Sequence, residues 1–192
     1  LKEWSIEFIS VIKEDKYKNP QVVVGFDNRF LSKEFSQWVS EVLSEKVLIK
    51  LFTQSVPSPT IAWLAKTYDF GIVITASHNP YMYNGIKIFM HGGRECDDNL
   101  AKRIEKIANT LNLDKIKYID YKEAVKSGKI EEINNYNDYC DSILTHFDVK
   151  NIQKSKIKVL ANCMHGNSIN CLNYLFKKLK LNYELQNDNI DP

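Results

Sequence analysis

Three short apolar segments, Val22-Val23-Val24, Val47 to Phe52 and Gly71-Ile72-Val73-Ile74, alternate with stretches of helical spacing, and that alternation leaves few folds open. Between the first two, Phe35, Trp38, Val39, Val42 and Leu43 recur every three or four residues, with Ser32 expected as the N-cap. Between the second and third, Pro57-Ser58-Pro59 breaks the chain, and a short helix is expected from Thr60 to Lys66. Strand-helix-strand order of this kind predicts an α/β fold: a mixed, largely parallel sheet layered with helices. Ligands in such folds gather at the carboxyl ends of strands. The loops after Val24 and Ile74 are therefore the places to look for chemistry.

The rest of the chain extends the pattern. Asn84-Gly85 is a turn pair, and Ile86-Lys87-Ile88-Phe89 alternates as a strand would, placing Lys87 on the face opposite Ile86 and Ile88. Asp97 or Asp98 is expected to cap a helix through Ile107, and Asp120 to open a short helix that Ser127-Gly128 ends. Asn135 to Phe147 reads as an amphipathic helix burying Tyr136, Tyr139, Ile143, Leu144 and Phe147. Trp4, Phe8, Ile9 and Ile12 make an N-terminal helical stripe, and Trp4, Trp38 and Trp63 are all expected in the core. Residues 148–156 are polar and form the expected linker. After it come a strand (157–160), a loop from Asn162 to Gly166, a helix (168–179) and a strand (181–185). The expected division is a first domain over 1–150 and the opening of a second, similar α/β domain over 151–192, cut short because one strand-helix-strand unit cannot cover a sheet.

Composition narrows the classes. With 192 residues and 44% of them hydrophobic, the chain can bury a core. Its formal charge of +2 is spread along the sequence, which argues against a nucleic-acid surface. No apolar run approaches the ~20 residues that cross a bilayer, and Leu1-Lys2-Glu3-Trp4 has no signal-peptide pattern, so a soluble, cytoplasmic protein without a membrane partner is expected. Cys96, Cys140, Cys163 and Cys171 show neither a CxxC pair nor zinc spacing and are expected to be reduced, structural thiols. His91 and His146 have no sequence partners that suggest metal binding.

The stretch Thr75-Ala76-Ser77-His78-Asn79-Pro80 follows the third strand. Pro80 pushes Asn79 out of the helical region, so the loop cannot wind into a helix and holds Ser77 in a defined pose. Ser77, His78 and Lys87 converge on this strand-loop-strand unit. Three uses are open to them. A hydrolase nucleophile is disfavoured, because adjacent side chains point apart and neither glycine of a G-x-S-x-G elbow is present. A serine that accepts and donates a phosphoryl group needs an exposed hydroxyl and nearby cations, which Lys87 and His78 could supply. In the third, Ser77 and Asn79 merely satisfy backbone groups in a turn.

Thr75-Ala76-Ser77-His78-Asn79-Pro80 with Tyr83-Asn84-Gly85-Ile86-Lys87 resembles the active-site signature of the α-D-phosphohexomutases, the phosphoglucomutase and phosphomannomutase superfamily. Val23-Val24-Gly25-Phe26-Asp27-Asn28-Arg29 with Phe30-Leu31-Ser32, Pro57-Ser58-Pro59 and Met164-His165-Gly166 follow in the order that superfamily has them. The resemblance implies an isomerase of carbohydrate metabolism that interconverts hexose 1-phosphate and 6-phosphate. The phosphate would pass through a phosphoserine at Ser77 and a bisphosphorylated sugar. It implies Mg²⁺ as cofactor, with Ser77, through its phosphate, as one metal ligand, and a hexose 1,6-bisphosphate as activator. His78 and Lys87 fall on family active-site positions, Lys87 for acid/base or phosphate-charge duty, while Asp27 and Arg29 are expected to clamp the loop from behind. The family's N-terminal glycine-rich arginine segment, its Asp-x-Asp-x-Asp-Arg metal loop, its sugar-discriminating loop and its C-terminal phosphate-binding domain have no counterpart in these 192 residues. Asn162-Cys163 stands where the family often has Asp-Pro. The resemblance thus implies an N-terminal fragment, inactive alone, whose partners are a hexose phosphate and the missing C-terminal domains. The alternative is a non-catalytic phosphosugar-binding or interaction fragment that keeps the loop as a relic.

Overall fold

The computed structural model describes Phe8, residues 19–108 and residues 116–191. Of the expected N-terminal stripe only Phe8 lies among them, fully buried with its ring edge-on to Phe70 at 5.2 Å. The elements in order are β1 (Gln21–Phe26), α1 (Ser32–Leu43), β2 (Leu48–Phe52), α2 (Ser58–Leu64), β3 (Phe70–Ile74), β4 (Ile86–Met90), α3 (Asp98–Ala108), α4 (Tyr121–Lys126), β5 (Ile130–Ile133), α5 (Tyr136–Leu144), α6 (Val149–Lys154), β6 (Lys158–Asn162), α7 (Ile169–Lys178) and β7 (Asn182–Gln186).

Five strands form one sheet in the order β4-β3-β1-β2-β5. β1 pairs in parallel with both β2 and β3, β2 pairs in parallel with β5, and β4 returns antiparallel along β3. The mixed, largely parallel sheet expected from the strand-helix alternation is what forms. Because β2 lies on one flank of β1 and β3 on the other, the strand order reverses between β1 and β3. That switch opens a crevice at the strands' carboxyl ends.

Period-2 alternation sends the β1 valines to opposite faces. Val22 and Val24 join Leu43, Ile49, Leu51, Ile72, Ile74 and Ile104 in one core, while Val23 joins Phe52, Val56, Ile61, Leu64 and Val73 in the other. Two glycines bring α2 close to the second face. A Cβ on Gly25 would lie 2.7 Å from Ile61 Cδ1, and one on Gly71 would lie 2.8 Å from Ile61 Cγ2. Close packing of α2 sets the Pro57-Ser58-Pro59 turn at the same rim as the β1 and β3 loops.

Several local expectations give way to tertiary contacts. The α1 cap position is Leu31, left-handed at φ 60°, and Ser32 is already helical, its hydroxyl turned to Asp27 instead. α1 buries Ser36 and Ser40 alongside Val39 and Leu43, their hydroxyls donating to Lys33 O and Ser36 O at 2.6 and 2.7 Å. α1 thus turns serines toward the core, and Trp38, expected there, is 43% exposed. Trp63 is half-buried and packs on Tyr139. In α5 only Cys140 is fully buried; Tyr136, Tyr139, Ile143 and Leu144 are half-buried, and Phe147 lies beyond the helix, exposed. The expected linker contains α6, whose first turn is capped by Asp148 accepting from the Asn151 N–H at 3.0 Å. β5, an Ile-Glu-Glu-Ile segment, was not among the expected strands.

β6 and β7 pair in parallel as a separate two-stranded sheet, with α7 between them in sequence.

Candidate active site: a strained serine loop at the sheet's switch point

β3 is buried along its whole length and ends at Ile74. The chain then turns out of the sheet into the loop carrying Ser77 and His78, both exposed. Ser77 adopts φ 54°, a left-handed conformation that costs a non-glycine residue about 1–2 kcal/mol. Its own N–H donates to Thr75 Oγ1 at 3.1 Å, and the Asn79 N–H closes the turn on Ala76 O at 3.0 Å.

Arg29 holds that conformation from the neighbouring β1 loop. Its Nη2 donates to Ser77 O at 2.9 Å and Asn79 O at 2.8 Å, and its Nη1 donates to Pro80 O at 2.8 Å and Tyr83 O at 3.3 Å. One planar guanidinium thereby gathers four carbonyls of the serine loop, which a point-charge ammonium could not do. Asp27 aims it, accepting from Arg29 Nε at 3.2 Å and from the Arg29 N–H at 3.0 Å. Both side chains are nearly enclosed, 14% and 13% exposed. Ser32 donates to Asp27 Oδ1 at 2.7 Å and accepts from Asn84 Nδ2 at 2.9 Å, tying the far end of the serine loop into the same network.

Lys87 sits on β4 opposite Val73. Its Nζ lies 3.2 Å from Glu95 Oε1, and its side chain lines the same cavity as Ser77 and His78, about 720 Å³ in volume. The three residues singled out from sequence are therefore brought together. The start of α2 at Pro57-Ser58-Pro59 and Asp27, Asn28 and Arg29 contribute further wall, and Met164 to Asn167 close it from the β6 loop. His165, part of the Met164-His165-Gly166 motif but expected only as a loop or helix-start residue, lines the cavity as well. Its position just after a parallel strand, as with Asp27 and Ser77, was the available signal.

The residues present do not make a magnesium site by themselves. Among the described residues no group of three or more His, Cys, Asp or Glu converges as a metal site. The Asp27 carboxylate is already taken up by Arg29 and Ser32. Ser77 is the candidate ligand that the sequence singled out, and it lines the cavity.

Among the described residues no helix is long and apolar enough to cross a membrane. Cys96 is half-buried, and Cys140, Cys163 and Cys171 are buried; all four are free thiols.

The sheet order and the loop at its switch point define an α/β layer built to present a serine beside cations. Residues 2–115 match the family described as phosphoglucomutase/phosphomannomutase, alpha/beta/alpha domain I, and the chain belongs to that family. It is 32% identical over 184 residues to a phosphoglucomutase of Staphylococcus saprophyticus, covering 89% of this chain and 32% of that protein. To a phosphoglucosamine mutase of Shewanella halifaxensis it is 32% identical over 165 residues, covering 83% of this chain and 35% of the relative. The chain thus spans about a third of the length of these relatives. A solved putative phosphomannomutase from Thermus thermophilus shares the fold with a TM-score of 0.83 at 22% identity, over 99% of this chain and 42% of that one.

Proposed function

We propose that this chain carries the phosphoserine part of a phosphohexomutase, an intramolecular phosphotransferase that interconverts hexose 1-phosphate and 6-phosphate. The observation that carries the reading is the Arg29 clamp: an exposed serine is held in a strained pose, in one cavity with Lys87 and His78. Strain sustained by a four-carbonyl clamp serves little purpose in an ordinary turn, and functional sites are where such strain collects.

In the transfer step the bond between phosphorus and Ser77 Oγ breaks while one forms to a sugar hydroxyl. The hydroxyl's proton leaves through a base, and the serine oxygen regains one. Lys87, as an ammonium, offsets charge on the phosphoryl oxygens, and His78 stands beside the serine for proton or phosphate contact. The sugar bisphosphate then reorients and returns its other phosphate to Ser77, so a hexose 1,6-bisphosphate primes the cycle. A Mg²⁺ ion would offset charge on the phosphoryl group, and of this chain's residues Ser77, once phosphorylated, would be a ligand. Residues 1–150 form the serine-bearing domain and 151–192 open a second one. A cytoplasmic setting and dependence on further domains for turnover are part of the same reading. Water-exposed charge interactions and lost positioning, which contributes on the order of 7–11 kcal/mol, leave the 192 residues alone at background activity.

The test is intact mass of the full-length protein after incubation with glucose 1,6-bisphosphate. A gain of one phosphate that disappears in Ser77→Ala is expected. A gain that survives the substitution, or no gain at all, rejects the reading.

A further inference from the structure

His165 lies on the loop between β6 and α7, in the second sheet's part of the chain, yet it lines the Ser77 cavity. Its backbone is left-handed at φ 56°, directly after Met164 at φ 50°. Two consecutive non-glycine residues in that region are costly, and the surrounding structure has to over-determine them. It does so here. The His165 N–H donates to Asn187 O at 2.9 Å, and His165 O accepts from Asn28 Nδ2 at 2.9 Å, across from the β1 loop. Met164 is held by Asn162 Oδ1 at 2.9 Å, and the Gly166 N–H returns to Cys163 O at 2.8 Å.

The ring is fixed as well as the backbone. Nδ1 lies 3.1 Å from Asn189 O, and a carbonyl oxygen can only accept, so Nδ1 carries the proton. In the neutral ring Nε2 is therefore an acceptor, on a side chain that lines the cavity. The cavity also holds an acceptor in the Asp191 carboxylate, and its cationic donors are already engaged. Arg29 spends its donors on loop carbonyls, and Lys87 already faces Glu95. An unprotonated phosphoryl oxygen offers a neutral ring's Nε2 nothing, being an acceptor itself. A hydroxyl does.

We propose that His165 is a ligand-contacting residue of the Ser77 cavity, its Nε2 accepting a hydrogen bond from a sugar hydroxyl of the phosphorylated ligand. The inference rests on the reading of the cavity as a phosphohexose site. It adds an acceptor on the β6 loop that complements the phosphate-handling groups on the β3 and β4 side, so that the Asn28–His165 contact couples the two halves of the cavity.

The experiment is the concentration dependence of Ser77 phosphorylation by glucose 1,6-bisphosphate in the full-length protein, compared among wild type, His165→Asn and His165→Gln. Asparagine can keep the donor towards Asn189 but has no acceptor at the Nε2 position, whereas glutamine reaches that position with its amide oxygen. The half-saturating concentration is expected to rise about tenfold in His165→Asn and less than about threefold in His165→Gln, with Ser77 still labelled at saturation. Competition by inorganic phosphate, which has no sugar hydroxyl, is expected to be unchanged by His165→Asn. Equal values in wild type and His165→Asn overturn the inference while the Ser77 reading stands. Equal impairment in both variants, with or without a lowered melting temperature, assigns the ring to holding the loop and also overturns it. A phosphate constant that moves as far as that of the bisphosphate overturns the hydroxyl assignment. Absence of label in the wild type removes the Ser77 reading and this inference with it.

Discussion

The two sheets of this chain bury their residues in opposite ways. β3 is buried at all five positions and β1 at five of six, whereas β6 and β7 alternate exposed and half-buried residues with none fully buried. Leu160 on β6 is 63% exposed. The five-stranded sheet carries a core on each face, so the loops at its rim are held by packed scaffold. A two-stranded sheet is marginal by itself. The β6 loop reaches the cavity through a few hydrogen bonds instead: Asn28 to His165 O at 2.9 Å, Asn167 to Val56 O at 2.8 Å and Asn170 to Gln54 Oε1 at 3.1 Å. One wall of the cavity thus stands on a buried sheet, with the Arg29 clamp holding the exposed serine loop to it, and the other is held by polar tethers. Reacting groups on the first wall stand on packed scaffold, while the second depends on those tethers.

The largest effect that would break this contrast is expected at Arg29, on the rigid wall. Arg29→Ala leaves the nearly enclosed Asp27 carboxylate unpaired and should cost about 3 kcal/mol, read by chemical denaturation. Arg29→Lys should recover little of it, since an ammonium cannot span four carbonyls. A loss under about 1 kcal/mol in Arg29→Ala would show that burial, not the clamp, holds the serine loop. The tethered wall should be less demanding. Asn167→Ala removes the bond to Val56 O and should cost about 1 kcal/mol, seen by hydrogen exchange as faster opening of β6 and β7 with β1 and β3 unaffected. Uniform acceleration through both sheets would mean that they open as one unit.

The smallest effect, near neutral pH, concerns Cys140 on α5 at its packing with α7. Burial first, and then the neighbouring Cys171, push its thiol from 9.0 up to about 12. In the unfolded chain the thiol ionises near 9, whereas in the folded protein it stays neutral, so the unfolded state loses its proton first. The associated stability is fully present below about pH 9 and is lost as pH rises towards about 12. Tyr121, raised from 10.0 to about 12 by burial and its bond to Glu132, acts with the same sign. Melting temperatures should therefore fall between pH 9 and 11, with a shallower slope in Cys140→Ala. A melting temperature that rises across this window would contradict the burial assigned to these groups.

Sequence by itself determined the strand-helix alternation, and with it the parallel sheet, because β-branched runs and helical stripes are local patterns that any context must bury. It also restricted the serine loop, since Pro80 keeps Asn79 out of the helical region, although the expected Asn84-Gly85 turn does not form and the loop closes through Ala76–Asn79 and Pro80–Tyr83 instead. Tertiary structure decided the rest. The Ile-Glu-Glu-Ile segment forms β5 by pairing along β2, and α1 turns its serines rather than Trp38 toward the core. The left-handed Ser77 depends on an arginine 48 residues away, and His165 enters the cavity through a bond spanning 137 residues. Periodicity and turn chemistry carry no record of such partners. They arise from which strand ends the sheet order places side by side.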